Sequence, residues 1–421
     1  MKILIIILLA VCTISIHSQT VLTSIPSTLV DGKYIIKAGT TINANTNVIG
    51  KNVTITKVGV GANPIIKFAE YTGMSLQNSI LENIDIESPP AMSPTLKLNN
   101  GKVTGCHLKG GHPAISPGGS KVVISNCKLS GSIYDALYCS GVDSLFILNT
   151  WVGDMYMGDG TDCGLNDNTD NVHTENCNFL YIDGLISDHS QYSGKFPLIF
   201  NGSGKVIIKN SDFYGTTNPC VYVGSTEELV EFYNCAFIGG LKAIENNGQI
   251  KVVNCLFANQ TATSIWEGGR KEIRNCTFAN ISYDGDYANA CIRSWNGDSS
   301  IIDNCIFYNS AQAWAGVNGK RTNCLYYKCF TRTGDKDIDP QFIDRINYKS
   351  KLGKGVIIDR PLNRYKPFIK PNWTDSLNKY KPAYDSLIIY KNTMNYIVIK
   401  GLKNTNQTKY SILLQINKII K

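Results

Sequence analysis

One phrase recurs along this chain and restricts what it can fold into: Asn-Cys-x-aromatic. It stands at Asn176-Cys177-Asn178-Phe179, Asn234-Cys235-Ala236-Phe237, Asn254-Cys255-Leu256-Phe257, Asn275-Cys276-Thr277-Phe278, Asn304-Cys305-Ile306-Phe307 and Asn323-Cys324-Leu325-Tyr326. Looser copies begin at Asn126, Asn149 and Asn210. The steps between copies run from 19 to 34 residues. A unit of that length, repeated this often, means a solenoid whose coils bury a continuous core only by stacking.

The phrase also specifies the kind of coil. Cys and the aromatic are two residues apart, so in a strand both point to the same side. Stacked parallel strands would place each Cys over the last Cys and each ring over the last ring. Asn suits the turn at the strand entry, because its side chain bonds backbone and it tolerates left-handed geometry. Stacked Asn side chains would then form an amide ladder. This pattern resembles the right-handed parallel β-helix of the pectate-lyase-like superfamily, over about residues 30–345. The resemblance implies an all-β chain: a right-handed parallel β-helix solenoid, then a linker and a small β-sandwich-like C-terminal segment. The fold alone does not fix the chemistry.

Charge and cysteine usage narrow the classes. The formal net charge is +8, but residues 345–421 carry +13 and Lys2 one more, leaving −6 for residues 19–344. The basic excess belongs to the tail, so the body is not expected to bind nucleic acid by bulk field. Met1-Lys2 precedes an apolar run from Ile3 to Cys12, and small or polar residues follow to Ser18. That reads as a secretory leader over 1–18, and the run is too short for a membrane span. No other stretch is expected to cross a membrane. The Cys spacing follows the coil repeat, so most of the 14 Cys are expected as small apolar core residues. Neighbouring coils would hold them near disulfide distance, which leaves room for one or two bridges.

Between the Asn-Cys strands lies a second set of short strands, including Ala136-Leu137-Tyr138-Cys139, Cys220-Val221-Tyr222-Val223 and Ser264-Ile265-Trp266-Glu267. Pointing the central aliphatic inward puts Tyr138, Tyr222, Glu245, Trp266 and Arg293 outward on one face. Aromatic rings with interspersed charges suit a polysaccharide: the rings cover apolar sugar faces and the charges hold hydroxyls or carboxylates. Plain decoration of an exposed sheet, where Tyr and Trp are favoured, is the alternative.

The long intervals between repeats mark inserted loops, where function concentrates on a rigid scaffold. The richest stretch, 154–195, holds Asp159, Asp162, Asp183, Asp188, His189 and Lys195. Gly158-Asp159-Gly160-Thr161-Asp162 and Asp183 to Gln191 stand about one coil apart. They resemble Gly-Asp-Gly and Asp-His-Ser segments of carbohydrate-active β-helices, although the Lys/Arg and Ca²⁺-ligand pattern of chondroitinase-B-like alginate lyases has no copy here. Two chemistries fit. A lyase would use Asp159, Asp162, Asp183 and Asp188 as Ca²⁺ or substrate ligands and His189 or Lys195 as base. A hydrolase would use Asp162 and Asp188 as its carboxyl pair. Exposed turns also collect Asp without any function.

After Tyr326 the repeat fades. Asp337-Ile338-Asp339-Pro340-Gln341-Phe342 resembles the closing segment of β-helix domains. Residues 360–384 carry four Pro among basic residues and read as a linker. Residues 385–421 are strand-like and resemble the C-terminal sorting domain of type IX secretion in Bacteroidetes, with Tyr390-Lys391-Asn392-Thr393 where that family has Tyr-Pro-Asn-Pro. The expected organisation is therefore a leader 1–18, a β-helix 19–359, a linker 360–384 and the tail 385–421. The expected function is a secreted or outer-membrane-surface monomer that cleaves a uronate-containing polysaccharide by β-elimination, with Ca²⁺ as cofactor. A hydrolase, or an adhesin that binds glycan without cleaving it, is the rival.

Overall fold

The computed structural model describes residues 19–344 except 92, 154–170, 189–197, 202–203, 216–218, 225–228, 267–268, 282–289, 295–298, 311, 317 and 330–338. Beyond 344 it describes 349–350, 355, 386–390 and 396–400. The chain divides into two compact units, 1–363 and 364–421. Among the described residues of the first unit every regular element is a strand. Among the described residues no helix is long and apolar enough to cross a membrane.

The first unit is a parallel β-solenoid with three faces. In the N-terminal coils, strands of 9 to 11 residues such as Val48–Val58 and Ile115–Ser125 bend to span two faces. Further on each separates into a first-face strand (Val172–Glu175) and a second-face strand (Phe179–Asp183). These two faces form a 22-stranded sheet, and the third face, from Thr41–Ala44 to Leu325–Tyr327, forms a 13-stranded one. Strand pairing between coils is parallel, with one register shift between Gly118 and Val122.

Alternation decides what each face buries. On the second face Leu180 and Ile182 point inward beside Val206 and Ile208, and all four are buried. On the third face Phe213, Phe237, Phe257, Phe278, Phe307 and Tyr326 stack in one column, with ring centroids 4.7 to 5.4 Å apart and planes within 11°. Offset stacking at this spacing adds to the burial of six large rings.

The corner between second and third faces explains the Asn-Cys phrase. Asn126, Asn149, Asn210, Asn234, Asn254, Asn275, Asn304 and Asn323 all sit there with φ between 45° and 56°. Asn is the non-glycine residue that adopts this left-handed region at least cost. Rungs donate backward: Asn234 to Asn210 at 3.3 Å, Asn254 to Asn234 at 2.6 Å, Asn304 to Asn275 at 2.8 Å, while Asn323 donates to Asp303 Oδ1 at 3.2 Å. The next residue turns inward, which makes a column containing Thr150, Ser211, Cys235, Cys255, Cys276 and Cys305.

One copy of the phrase is displaced. Asn176 (φ 50°) lies at the corner between first and second faces, not at the ladder corner. Phe179 accordingly points outward, half-buried, and meets Phe146 edge-on at 5.7 Å. The ladder position in this coil is Gly184 (φ 72°), where a Cβ would meet the Asn149 side chain at 2.5 Å. The reason is parity: Leu180 and Ile182 claim the inward positions, so Phe179 cannot.

The twelve described cysteines from Cys106 to Cys329 are free thiols, ten of them buried. They fill the core as small apolar side chains. On the outer side of the third face Ala236, Leu256, Ala258 and Ala279 form a second buried cluster, against which Ile238, Tyr308 and Phe342 pack. Gly355 donates its N–H to Asn304 O at 3.0 Å on this same side. The segment following the last coil thus covers the outside of the third face. In the second unit Ser386–Tyr390 pairs antiparallel with Tyr396–Lys400.

Candidate functional site

First-face strands carry one inward aliphatic residue followed by one outward residue, and register stacks the outward ones. Tyr138 pairs with His173, His173 with Ile199, and Ile199 with Tyr222. Tyr222 pairs with Glu245, Glu245 with Trp266, and Trp266 with Arg293. All five outward residues selected from sequence stand in this single column. At about 4.8 Å per parallel strand it runs roughly 30 Å. Sequence reasoning missed His173 and Ile199 as members. The alternation Val172-His173-Thr174 would have found His173, since Val172 and Thr174 are both buried.

At the N-terminal end of the column four polar side chains converge. His173 Nε2 lies 3.2 Å from Glu175 Oε1, and its Nδ1 lies 4.0 Å from Asp135 Oδ1. Tyr138 Oη donates to Glu175 Oε2 at 3.1 Å, and the two rings meet edge-on at 5.2 Å. Asp135 is buried. Burial first, and the Glu175 carboxylate second, push the Tyr138 phenol above its ordinary pKa. A phenol so placed keeps its proton at neutral pH. Its neighbour is an imidazole between two carboxylates, an arrangement able to accept and pass a proton.

Further along, cations gather around Trp266. The Lys242 ammonium lies over the ring and makes an ion pair with Glu245 at 3.1 Å, although Lys242 is largely buried. The Arg293 guanidinium stands 5.2 Å from the same ring. Asn247 Nδ2 donates to Tyr222 Oη at 3.4 Å. Rings and fixed cations therefore alternate along this half of the column.

The acidic set drawn from 154–195 is placed only in part. Asp159, Asp162, His189 and Lys195 lie outside the described residues. The described residues that flank their two segments are Gly153 and Asp188 after third-face strands, and Asn171 and Leu198 at the start of first-face strands. Buried Asn171 donates to Ser187 Oγ at 3.0 Å and Asp188 O at 3.3 Å. Ile199 faces outward yet is only 6% exposed.

Asp183 and Asp188 are not brought together. Asp188 ends a third-face strand, whereas Asp183 ends a second-face strand across the Gly184 corner. Asp183 accepts from Asn210 Nδ2 at 2.8 Å and from Tyr181 Oη at 3.2 Å, so both its oxygens are engaged. No group of three His, Cys, Asp or Glu able to hold a metal occurs among the described residues. Asp159 and Asp162, two of the four expected Ca²⁺ ligands, lie outside the described residues.

No family model matches the chain, and no curated protein matches it. Among solved structures it is similar to the Dettilon tailspike protein (13% identity, TM-score 0.45), over 73% of this chain and 62% of that one. It is similar to the A-module of an Azotobacter vinelandii mannuronan C-5 epimerase (9% identity, TM-score 0.36), over 74% and 90% of the two chains. It is also similar to a pectate lyase (14% identity, TM-score 0.35), over 74% of each. The chain thus spans 62% of the tailspike's length.

Proposed function

We propose that the protein is an exported, polysaccharide-acting β-helix that cleaves a uronate-containing glycan by β-elimination, with the polymer lying along the first face. The observation that carries this reading is the outward column from Tyr138 to Arg293, in which rings, cations and a proton-transfer cluster follow one straight line.

Roles follow from the side chains. Tyr222 and Trp266 cover apolar faces of sugar rings, and Arg293 holds a uronate carboxylate. A uronate bound over His173 has its C5 proton within reach of the imidazole. His173 takes that proton, the electron pair forms a C4–C5 double bond, and the C4–O glycosidic bond breaks. Tyr138, which holds its proton at neutral pH, supplies it to the departing oxygen. Glu175 and Asp135 stabilise the imidazolium formed on the way. Asp159, Asp162, His189 and Lys195 remain proposed metal, substrate or base residues of the two segments next in sequence to this face. Ca²⁺ is a proposed cofactor of those loops, and no step here runs through it.

The proposal includes export through residues 1–18 and a sorting role for 385–421, on the resemblance of that stretch in sequence. A reporter fused to residues 364–421 tests the latter by its appearance, or not, at the cell surface.

The experiment is to incubate the protein with pectate, alginate and glycosaminoglycans, with Ca²⁺ or chelator, and follow the ultraviolet absorbance of unsaturated uronate ends. A rise abolished in His173→Ala supports elimination at this site, and loss of the rise with chelator assigns the metal. New reducing ends without absorbance would point to hydrolysis, with Asp135 and Glu175 flanking His173 as the nearest carboxyl pair. Retained binding with neither product would leave a glycan-binding surface protein.

A further inference from the structure

The second face, around the corner from the column, carries its own concentration of rings and cations. Phe146 and Tyr181 stand in register on adjacent coils, their centroids 6.2 Å apart, and Phe179 closes the group 5.7 Å from Phe146. These three rings point outward and are half-buried. Tyr233 stands on the next column two coils on. Lysine ammoniums lie against the rings: Lys121 is 5.3 Å from Phe146, and Lys209 is 5.6 Å from Tyr181 and 5.8 Å from Tyr233.

The carboxylates of the same patch are already engaged. Asp183 takes hydrogen bonds from Asn210 and Tyr181, and Glu231 takes one from Tyr233 and lies 3.9 Å from Lys205. Lys251 sits in register between Glu231 and Glu272, and Glu272 is held by Arg274 at 2.8 Å. What the patch presents outward is therefore ring surface rimmed by ammonium groups. Away from it the outward positions of this face lack such rings: Lys102 and Thr104 before it, Glu272, Arg274 and Asp303 after it.

We infer that this patch is a second binding surface for an anionic polysaccharide, separate from the first-face column. Ring faces stack on the apolar sides of sugars, and the ammoniums meet their carboxylates. A long polymer can engage both faces of the same coils, so the second contact raises the effective concentration of substrate at the first. A short oligosaccharide reaches only one face. The inference takes the same polymer class as the proposed function, and in that respect rests on it.

The test compares the full chain with a Lys121→Glu, Lys209→Glu variant and a Phe146→Ala, Tyr181→Ala variant. Binding of long polygalacturonate and alginate, and of their tetramers, is measured by calorimetry alongside the thermal midpoint. The expected result is about tenfold weaker binding of the long polymers by the charge-reversed variant. Its tetramer affinity and midpoint stay unchanged. Equal binding of long polymer by wild type and both variants overturns the inference while leaving the first-face site standing, provided Trp266→Ala weakens it. Failure of wild type to bind any polyuronate sinks both.

Discussion

Asn210 donates from Nδ2 to Asp183 Oδ1 at 2.8 Å and thereby ends an amide ladder on a carboxylate. A second ladder ends the same way, with Asn100 bonding Asn78, Asn78 bonding Asn52, and Asn52 bonding Asp31 at 2.8 Å. A carboxylate oxygen accepts the last amide hydrogen of each. Asp183→Ala leaves the Asn210 amide without that partner, and it should cost about 1–3 kcal/mol in a urea titration. The loss should be the same with Ca²⁺ or chelator present. A chelator-dependent loss would instead make Asp183 a metal ligand.

His173 and Tyr138 should separate chemistry from binding. His173→Ala and Tyr138→Phe are each expected to lower kcat by about two orders of magnitude or more with little change in KM. Trp266→Ala should do the opposite, raising KM severalfold while leaving kcat near wild type. A Tyr138→Phe enzyme of full activity would remove the phenol as proton donor.

Alkaline stability follows from the phenols. Burial, then Glu231, push the Tyr233 phenol up to about 12, and Tyr138 and Tyr181 shift the same way. An unfolded Tyr titrates near 10. Between those values the folded state keeps a proton that the unfolded state has lost, so stability is full below about pH 10 and falls as pH rises through that window. Tyr233→Phe should make the fall of the urea midpoint shallower.

Thiol chemistry offers a check on the core. Burial alone pushes the Cys220 thiol up to about 12, and Cys291 also rises, mainly through burial. A thiol reagent at neutral pH should therefore leave Cys220 and Cys291 unmodified in the native protein and react with both in urea. Fast native modification of either would contradict their place in the core.

Phe257 stacks between Phe237 and Phe278 at 4.9 and 4.7 Å. Phe257→Ala should cost about 3–5 kcal/mol, read as a shift in the denaturant midpoint.

The coil, the ring column and the first-face outward column were legible in the sequence because each rests on a period-2 or coil-length pattern. Leu137, Val221, Ile244, Ile265 and Ile292 had to face in, so their successors had to face out. Asn176 misled because the same tripeptide suits any left-handed corner, and only Leu180 and Ile182 reveal which corner it occupies. His173 was passed over because its coil enters from a long insertion, which hides the spacing. The Asp183 cap was invisible for another reason: a carboxylate bound by an amide from the next coil depends on register, which no local pattern encodes.

Those two ladders have a direction. Asn234, Asn254 and Asn304 each donate to the Asn one coil before, whereas Asn323 donates to Asp303. A coil can therefore be duplicated or lost between Asn234 and Asn254 and each remaining amide still finds an identical acceptor beneath it. Growth of this solenoid by copying is thus open wherever one amide follows another.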